Sequence, residues 1–288
     1  MAHLLARVAD LPRRVALGGS AFNTVTAAAR RRPRLDLGMV GVEGEVPFGA
    51  PSFRAHLGGL GVDVSALGVH AGPAGICLAL EDRDVRSLRV APGANVAMAD
   101  HAASGEVADY LADARLIHVT SFLDQRTPRI LADVLAGLRG RPDRPMVCLD
   151  PGHGWCTRAD SAVRSLVATA DLLLVNAHEF AALGRALDLG TRTVVVKYPG
   201  YAVLHREGTA QRIETGRPPL RTEQIRHPTG AGDVFAAGLL AASAEAARAG
   251  GRDTSGSWAD LTGAVRSGLL AARAHLARPR SGGPVGAA

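Results

Sequence analysis

A turn of small residues leads into an acidic residue in the segment Thr229-Gly230-Ala231-Gly232-Asp233. A long helical pattern, Asp233–Ala249, starts there. The first backbone N–H groups of a helix have no acceptor within it, so together with the helix dipole they form an anion site. An aspartate beside that site can take a proton from a hydroxyl while the amides stabilise a transferring phosphoryl group. The segment predicts phosphoryl transfer with Asp233 as the base. The alternative interpretation is a glycine turn before an ordinary first-turn acid.

The elements that would position this segment are short apolar runs that alternate with longer helical patterns. The candidate strands are Leu37–Val42, Gly75–Glu81, Leu116–Val119, Met146–Asp150, Leu172–Asn176 and Thr193–Tyr198. The candidate helices are Asn23–Arg32, Ser52–Leu60, Thr127–Leu138, Ala159–Thr169, Ala177–Leu187, Asp233–Ala249 and Trp258–Leu276. Several strands are continuous apolar runs, which is typical of a parallel sheet covered on both faces. The order predicts an α/β fold with a doubly wound, mostly parallel sheet and helices on both faces.

Two stretches break the alternation and predict β-hairpins. Residues 75–90 place polar residues between two strand-like runs, and residues 201–215 turn at Glu207-Gly208. Asp150-Pro151 closes a strand, and the following Gly152–Trp155 is expected to be a loop near the crevice at the carboxyl end of the sheet. We expect one domain over residues 1–276 and a disordered tail over residues 277–288.

The segment around Asp233 resembles the C-terminal signature of the ribokinase (PfkB) family of sugar and nucleoside kinases. The resemblance covers nearly the whole chain from Gly18. The run Gly18-Gly19-Ser20-Ala21-Phe22-Asn23 resembles the family's Gly-Gly-x-x-x-Asn, which contacts the hydroxyls of the acceptor. It implies that Gly18, Gly19 and Asn23 bind the acceptor, whereas Asn23 alone would be assigned as a helix N-cap. Asn95 follows the hairpin within Gly93-Ala94-Asn95, matches the segment after the family's lid strands, and is a further acceptor-binding candidate. The implied fold is ribokinase-like with a small, reduced β lid, from strands near residues 4–17 and 75–90.

The resemblance also indicates a nucleotide site and a metal residue. Asn176-Ala177-His178-Glu179 matches the family's Asn-x-x-Glu, whose Glu acts through water on Mg²⁺ and phosphate. Mg²⁺ keeps several waters and is often held by one carboxylate plus phosphates, so Glu179 is the candidate metal residue. The alternative is a plain helix cap at Asn176 with Glu179 as a first-turn acid. The resemblance implies that ATP binds to Asn176, Lys197, Gly200 and Thr229.

The chain departs from the family's pattern in two places. His227-Pro228 stands where many members have an aspartate that helps bind a monovalent cation, so we expect activity that does not depend on K⁺. Members usually begin with a strand ending Gly-x-x-x-x-Asp, and Met1 falls near the position of that aspartate. We expect the upstream DNA to encode about 10–20 further residues for this strand; otherwise the chain is degenerate.

Composition excludes several classes of function. Hydrophobic residues make up 47% and charged residues 21%, as in an ordinary globular protein. The formal charge is +6, but Lys197 is the only lysine, the arginines are dispersed, and aromatic residues make up 4%. We therefore expect no nucleic-acid partner. The three cysteines form no CxxC pair and are typical of a reduced, cytoplasmic protein. No apolar run approaches the roughly 18 residues of a membrane span.

Together these patterns predict an enzyme that uses ATP and Mg²⁺ to phosphorylate a hydroxymethyl group of a sugar or sugar-like acceptor. Asp233 would be the base, and the amides of Gly230, Ala231 and Gly232 would hold the transferring phosphate. Two alternatives stay open: a nucleoside acceptor, and a degenerate pseudokinase that binds nucleotide or sugar without turnover. The assembly is open between a monomer and a homodimer.

Overall fold

The computed structural model describes residues 15–32, 34–82, 85–122, 124–249 and 260–278. The strands are β1 (Gly41–Glu45), β2 (Leu67–Pro73), β3 (Ile76–Asp82), β4 (Val85–Ala91), β5 (Leu116–Thr120), β6 (Met146–Asp150), β7 (Leu172–Asn176), β8 (Val194–Tyr198), β9 (Tyr201–Arg206) and β10 (Thr209–Glu214). The helices are α1 (Ser20–Arg31), α2 (Phe53–Gly58), α3 (Met98–Ala102), α4 (Gly105–Ala112), α5 (Thr127–Leu138), α6 (Gly152–Arg158), α7 (Ser161–Thr169), α8 (Ala177–Gly184), α9 (Ala231–Ala249) and α10 (Leu261–Leu276).

The main sheet has six strands in the order β10-β9-β8-β7-β6-β5. Strands β5 to β8 are parallel, while β9 and β10 are added in antiparallel orientation at one edge. The predicted α/β fold with a mostly parallel sheet is therefore confirmed. Because β6, β7 and β8 run in the same direction, their carboxyl ends meet at one edge of the sheet, where ligands of such folds bind.

Both faces of the main sheet are covered by helices, and β7 shows why its sequence is apolar throughout. Leu173 and Val175 face the hydrophobic core formed with α5, α7 and α8. Leu172 and Leu174 face the opposite core, formed with α9 and α10. Since successive side chains of a strand point to opposite faces, a strand buried on both faces needs apolar residues at every position.

Two small sheets lie outside the main one. Strands β1 and β2 pair in parallel, with an irregularity in register between Glu43 and Glu45. Strands β3 and β4 form an antiparallel hairpin in which Ile76 pairs with Ala91. This confirms the first predicted hairpin, whose turn residues 83 and 84 lie outside the described residues. The second hairpin, β9–β10, turns at Glu207-Gly208 as predicted.

Several predicted elements differ from the structure. The expected strand Leu37–Val42 is observed as β1, shifted towards Glu45, because residues before Gly41 make only an isolated bridge from Gly38 to Asp63. The expected loop Gly152–Trp155 is wrong, because those residues open helix α6. Helix α1 begins at Ser20, three residues before the predicted start at Asn23. Strand β2 and helices α3 and α4 were not predicted.

The expectations for the ends of the chain fall largely outside the described residues. Residues 1–14 are not described, and residues 15–17 of the expected lid strand near 4–17 belong to no strand. The expected disordered tail is described only for Ala277 and Arg278, which end helix α10. Among the described helices, none has the length and apolar character needed to cross a membrane.

Candidate active site

The N-terminus of α9 lies at the carboxyl edge of the main sheet and begins with the predicted turn of small residues. Gly230 has φ +81°, a conformation that favours glycine, and the helix begins at the next residue, Ala231. The Val234 N–H donates to the Gly230 carbonyl and closes the first turn at 2.9 Å. The backbone N–H groups that precede Val234 in this first turn have no acceptor within the helix. The amides of Ala231, Gly232 and Asp233 lie in this first turn, and the Ala231 N–H also lies 3.5 Å from the Pro228 carbonyl. We call this turn the candidate anion site; the amide of Gly230, also predicted to belong to it, lies just before the helix.

Asp233 is held by two side chains of helix α1. Ser20 Oγ donates to Asp233 Oδ1 at 2.5 Å, and Asn23 Nδ2 donates to Asp233 Oδ2 at 2.7 Å. Thr24 Oγ1 donates to the Asp233 backbone carbonyl at 3.3 Å. Each carboxylate oxygen thus has its own donor, so the orientation of the Asp233 carboxylate relative to the anion site is fixed.

The paired glycines before α1 allow this contact. Gly19 is the N-cap of α1 and has φ +106°, while Gly18 lies in the segment before it. Because the helix begins at Ser20, Ser20 and Asn23 are three residues apart and lie on the same face. The interpretation of Asn23 as an N-cap is therefore wrong. Of the three predicted acceptor-binding residues in this segment, Asn23 contacts Asp233, while Gly18 and Gly19 form the segment that leads into α1.

A buried ion pair lies beside the anion site. Lys197 Nζ donates to Asp150 Oδ2 at 2.7 Å, and the two side chains are only 17% and 14% exposed. A Cβ placed on Gly232 would lie 3.8 Å from Lys197 Nζ, so the ammonium group is close to the amides of the anion site. Burial disfavours the charged form of Lys197, but Asp150, with Glu179 and Asp233 further away, outweighs this and raises its pKa. Lys197 is therefore protonated and is available to pair with phosphate.

Asn176 and Glu179 form a capping box at the start of α8. The Asn176 side chain accepts from the Glu179 N–H at 3.0 Å, and Glu179 Oε2 accepts from the Asn176 N–H at 2.9 Å. This is the arrangement that the plain helix-cap interpretation predicts. It also holds a buried carboxylate, 7% exposed, at the carboxyl end of β7, where Asn176 pairs with Lys197 in register.

The carboxylates around Lys197 fit a magnesium ion that is bound mainly through phosphates and water. Asp150, Glu179 and Asp233 all act electrostatically on Lys197, so the described charges leave an excess of two negative charges. Their donors are oxygens, which Mg²⁺ prefers. No group of three or more metal-ligating side chains close enough to hold an ion occurs in the described part of the chain. The residues therefore fit an ion that is not enclosed by protein ligands alone.

The environment of Asp233 tunes its basicity. Burial raises the pKa of its carboxyl group, and nearby Asp150 raises it further. The hydrogen bonds from Ser20 and Asn23 and the charge of Lys197 oppose the increase. A carboxylate with a raised pKa is a stronger base, which favours removal of a proton from a hydroxyl.

A half-buried histidine, whose two ring nitrogens are both buried, lies near the ion pair. His118 of β5 pairs in register with Cys148 of β6, two residues before Asp150. Neither ring nitrogen makes a hydrogen bond of normal geometry to a described residue. Burial lowers the pKa of His118 to about 4, so its ring is neutral at neutral pH.

Three predicted residues lie elsewhere or have other roles. Asn95 is in the 3₁₀ turn Gly93–Ala97, and its side-chain amide packs against Gly75 at the base of the β3–β4 hairpin. Gly200, with φ +84°, makes the turn between β8 and β9. The Thr229 carbonyl lies 2.9 Å from His275 Nε2 of α10, so this threonine anchors the turn before the anion site. The structure does not bring Asn95 into contact with Asp233.

Sequence reasoning missed Ser20, Thr24 and His275 as neighbours of the site, and gave Asp150 no role in it. Asp150 could have been found, because it is the last residue of a buried strand next to β7. The contact between Ser20 and Asp233 joins residues 213 positions apart, and no spacing in the sequence indicates it.

Comparison with known proteins agrees with this geometry. The profile of the family described as "pfkB family carbohydrate kinase" matches residues 13–285. No curated protein sequence matches the chain. Adenosine kinase from Trypanosoma brucei brucei is similar in structure, with a TM-score of 0.75 at 17% identity over 96% of this chain and 87% of that one.

Two further solved structures are similar at low sequence identity. The nucleoside kinase of Burkholderia thailandensis in complex with inosine has a TM-score of 0.65 at 20% identity, covering 91% of this chain and 84% of that one. The fructokinase of Xylella fastidiosa with bound ATP has a TM-score of 0.67 at 16% identity, and the match covers 91% of this chain and 85% of that one. At these identities the likeness establishes the ribokinase-like fold.

Proposed function

The chain belongs to the pfkB family of carbohydrate kinases, and from this membership we propose that it transfers the terminal phosphoryl group of ATP to a hydroxymethyl group of a sugar or a nucleoside. The observation that carries the proposal is the placement of Asp233. Its carboxylate lies in the first turn of α9, beside the amides of the anion site, and is oriented by Ser20 and Asn23. A base and a phosphoryl-binding site are thus adjacent, as in-line transfer requires.

The proposed step begins when the acceptor hydroxyl reaches Asp233. The carboxylate accepts the hydroxyl proton while the oxygen attacks the terminal phosphorus of ATP. The amides of Ala231, Gly232 and Asp233 donate to the phosphoryl oxygens, whose negative charge they stabilise. Proton transfer of this kind contributes about 10²–10⁴ in rate.

Lys197 and the surrounding carboxylates would organise the nucleotide. Lys197 Nζ is close enough to Gly232 to interact with a phosphate at the anion site, and Asp150 holds it there. Bound Mg²⁺ would neutralise phosphate charge and hold the phosphates in place, with Glu179 as the residue that contacts its water shell. Asn176 would fix Glu179 through the capping box. Cytoplasmic ATP would supply the phosphoryl group.

The proposed reaction requires an acceptor that carries a hydroxymethyl group. The fold does not decide whether this acceptor is a sugar or a nucleoside. A sugar and a nucleoside both carry a primary hydroxymethyl group, and the similar structures include kinases of both classes. Asn23 would contact the acceptor, because its amide touches Asp233. Gly18 and Gly19 would contact it from the segment that precedes α1. Asn95 is proposed as an acceptor residue of the lid only if the hairpin closes over the site.

The test is the release of ADP over a panel of sugars and nucleosides, measured in a coupled assay for wild type and Asp233→Asn. Asn keeps the size of the side chain but cannot accept the proton, so turnover should fall about 10²–10⁴-fold while ATP affinity stays within a few-fold. Asp133→Asn, on the exposed face of α5, is the matched control and should keep wild-type turnover. If Asp233→Asn keeps more than about a tenth of wild-type turnover, Asp233 is not the base.

A further inference from the structure

The hydroxyl of Ser20 makes the contact with Asp233 that the proposed function assigns to the acceptor hydroxyl. Ser20 Oγ lies 2.5 Å from Asp233 Oδ1 and donates its proton to it. A serine hydroxyl within hydrogen-bond reach of a carboxylate base is the arrangement of an activated nucleophile. The side chain of serine is itself a primary hydroxymethyl group, which is the class of acceptor that the proposed function assigns to this site.

The two other α1 side chains that contact Asp233 are placed differently. Thr24 Oγ1 donates to the backbone carbonyl of Asp233 and not to its carboxylate. Asn23, on the other carboxylate oxygen, carries an amide that cannot act as a phosphoryl acceptor of this kind. Ser20 is half-buried, so it is not shielded from a nucleotide bound at the N-terminus of α9.

We propose that Ser20 is phosphorylated by the active site of its own chain when ATP is bound and the acceptor is absent. The inference rests on the proposed function. A bond forms between Ser20 Oγ and the terminal phosphorus of ATP, and the bond from that phosphorus to the bridging oxygen breaks. The electron pair leaves with ADP, and the hydroxyl proton goes to Asp233 Oδ1. ATP is the only co-reactant.

The modified residue would stop the enzyme. Ser20 is the first residue of α1, where the helix dipole and free N–H groups favour a phosphate dianion. The same phosphate would lie against the Asp233 carboxylate and exclude the acceptor hydroxyl from it. A bound acceptor prevents the reaction, because its hydroxyl replaces that of Ser20 at the base. The site therefore inactivates itself when it holds ATP without an acceptor.

The experiment incubates the full chain with MgATP and no acceptor, followed by intact mass measurement and peptide mapping. The expected result is one phosphoryl group per chain, located on Ser20 and suppressed by an acceptor that is turned over. Ser20→Ala and Asp233→Asn should remain unmodified, and the control Thr209→Val, at an exposed position in β10, should still be modified on Ser20. Stoichiometric modification should lower later turnover at least about tenfold, since the base is blocked.

Two outcomes of this experiment distinguish a failure of the inference from a failure of the proposed function. An enzyme that phosphorylates an acceptor but leaves Ser20 unmodified overturns the inference and leaves the proposed function standing. A chain that neither modifies Ser20 nor phosphorylates any acceptor fails the proposed function. Wild type mixed with Asp233→Asn tests the route, because transfer within one chain leaves Ser20 of the variant unmodified. Modification of that variant would overturn the intramolecular step.

Discussion

The neutral histidine beneath the site should make the protein unstable in mild acid. His118 has its pKa lowered from 6.5 to about 4 by burial. The unfolded chain therefore binds a proton between these values that the folded chain does not bind. Stability from this residue is complete above the unfolded pKa and is lost as pH falls towards the folded one. From these two pKa values, the free energy of unfolding should fall by roughly 2 kcal/mol between pH 7 and pH 5. At pH values below both pKa values, the loss reaches its limit of roughly 3 kcal/mol.

The perturbation that isolates this effect is His118→Leu, which keeps a similar volume and removes the two ring nitrogens. Its stability at pH 7 should change little, because the ring nitrogens make no hydrogen bond of normal geometry and only a weak interaction with the Cys148 backbone is lost. The free energy of unfolding in urea is measured at pH 7 and pH 5 for wild type and variant. Between pH 7 and pH 5, the free energy of unfolding of the variant should fall by roughly 2 kcal/mol less than that of wild type.

The control is Val69→Ala, at an exposed position in β2, which removes no titrating group and should keep the wild-type dependence on pH. Other titrating groups are common to all three proteins and cancel in the differences. If His118→Leu loses as much stability as wild type between pH 7 and pH 5, then His118 takes up its proton in the folded state. The inferred burial would then be refuted.

Three further outcomes are expected from the charged residues of the site. Lys197→Met should raise the KM for ATP at least about tenfold. It should also lower the free energy of unfolding by about 3 kcal/mol, because it leaves Asp150 buried and unpaired. In the double variant with Asp150→Asn, stability measured in urea should be restored but activity should not. Glu179→Gln should raise the Mg²⁺ concentration for half-maximal activity while the melting temperature stays constant, since Gln can keep the capping interaction with Asn176. An unchanged Mg²⁺ titration would leave Glu179 a structural helix cap. Turnover should be equal in K⁺ and Na⁺ at constant ionic strength, because His227 provides no carboxylate for a cation; a several-fold stimulation by K⁺ would contradict this.

The elements that the sequence predicted best are those in which burial alone decides the residue types. Strands Met146–Asp150 and Leu172–Asn176 have the predicted bounds, because both faces of these strands are covered. The hairpin at Glu207-Gly208 was also predicted, since both residues have positive φ and the pair is typical of a tight turn between strands. Helix α6 was missed, because the glycines at 152 and 154 indicate a loop.

The chemistry of the candidate site was only partly predictable. The candidate anion site after Gly230 and the proposed base Asp233 lie in one local segment, so their spacing is visible in the sequence. The contact of Ser20 with Asp233 depends on how α1 packs against the N-terminus of α9, which is a tertiary property. For the same reason, nothing in the sequence indicated that Asn23, the predicted acceptor-binding residue, also donates a hydrogen bond to Asp233.

The ion pair of Lys197 with Asp150 makes this kinase unusually suited to selective labelling. Lys197 is the only lysine of the chain, so the chain has a single side-chain amine in addition to its N-terminal amine. Reagents that acylate amines can therefore mark one internal position, and that position lies at the anion site. Its reactivity should be low, because the ammonium group is buried and paired. Bound nucleotide should lower it further, so the extent of acylation reports how much of the site is filled, with no engineered label.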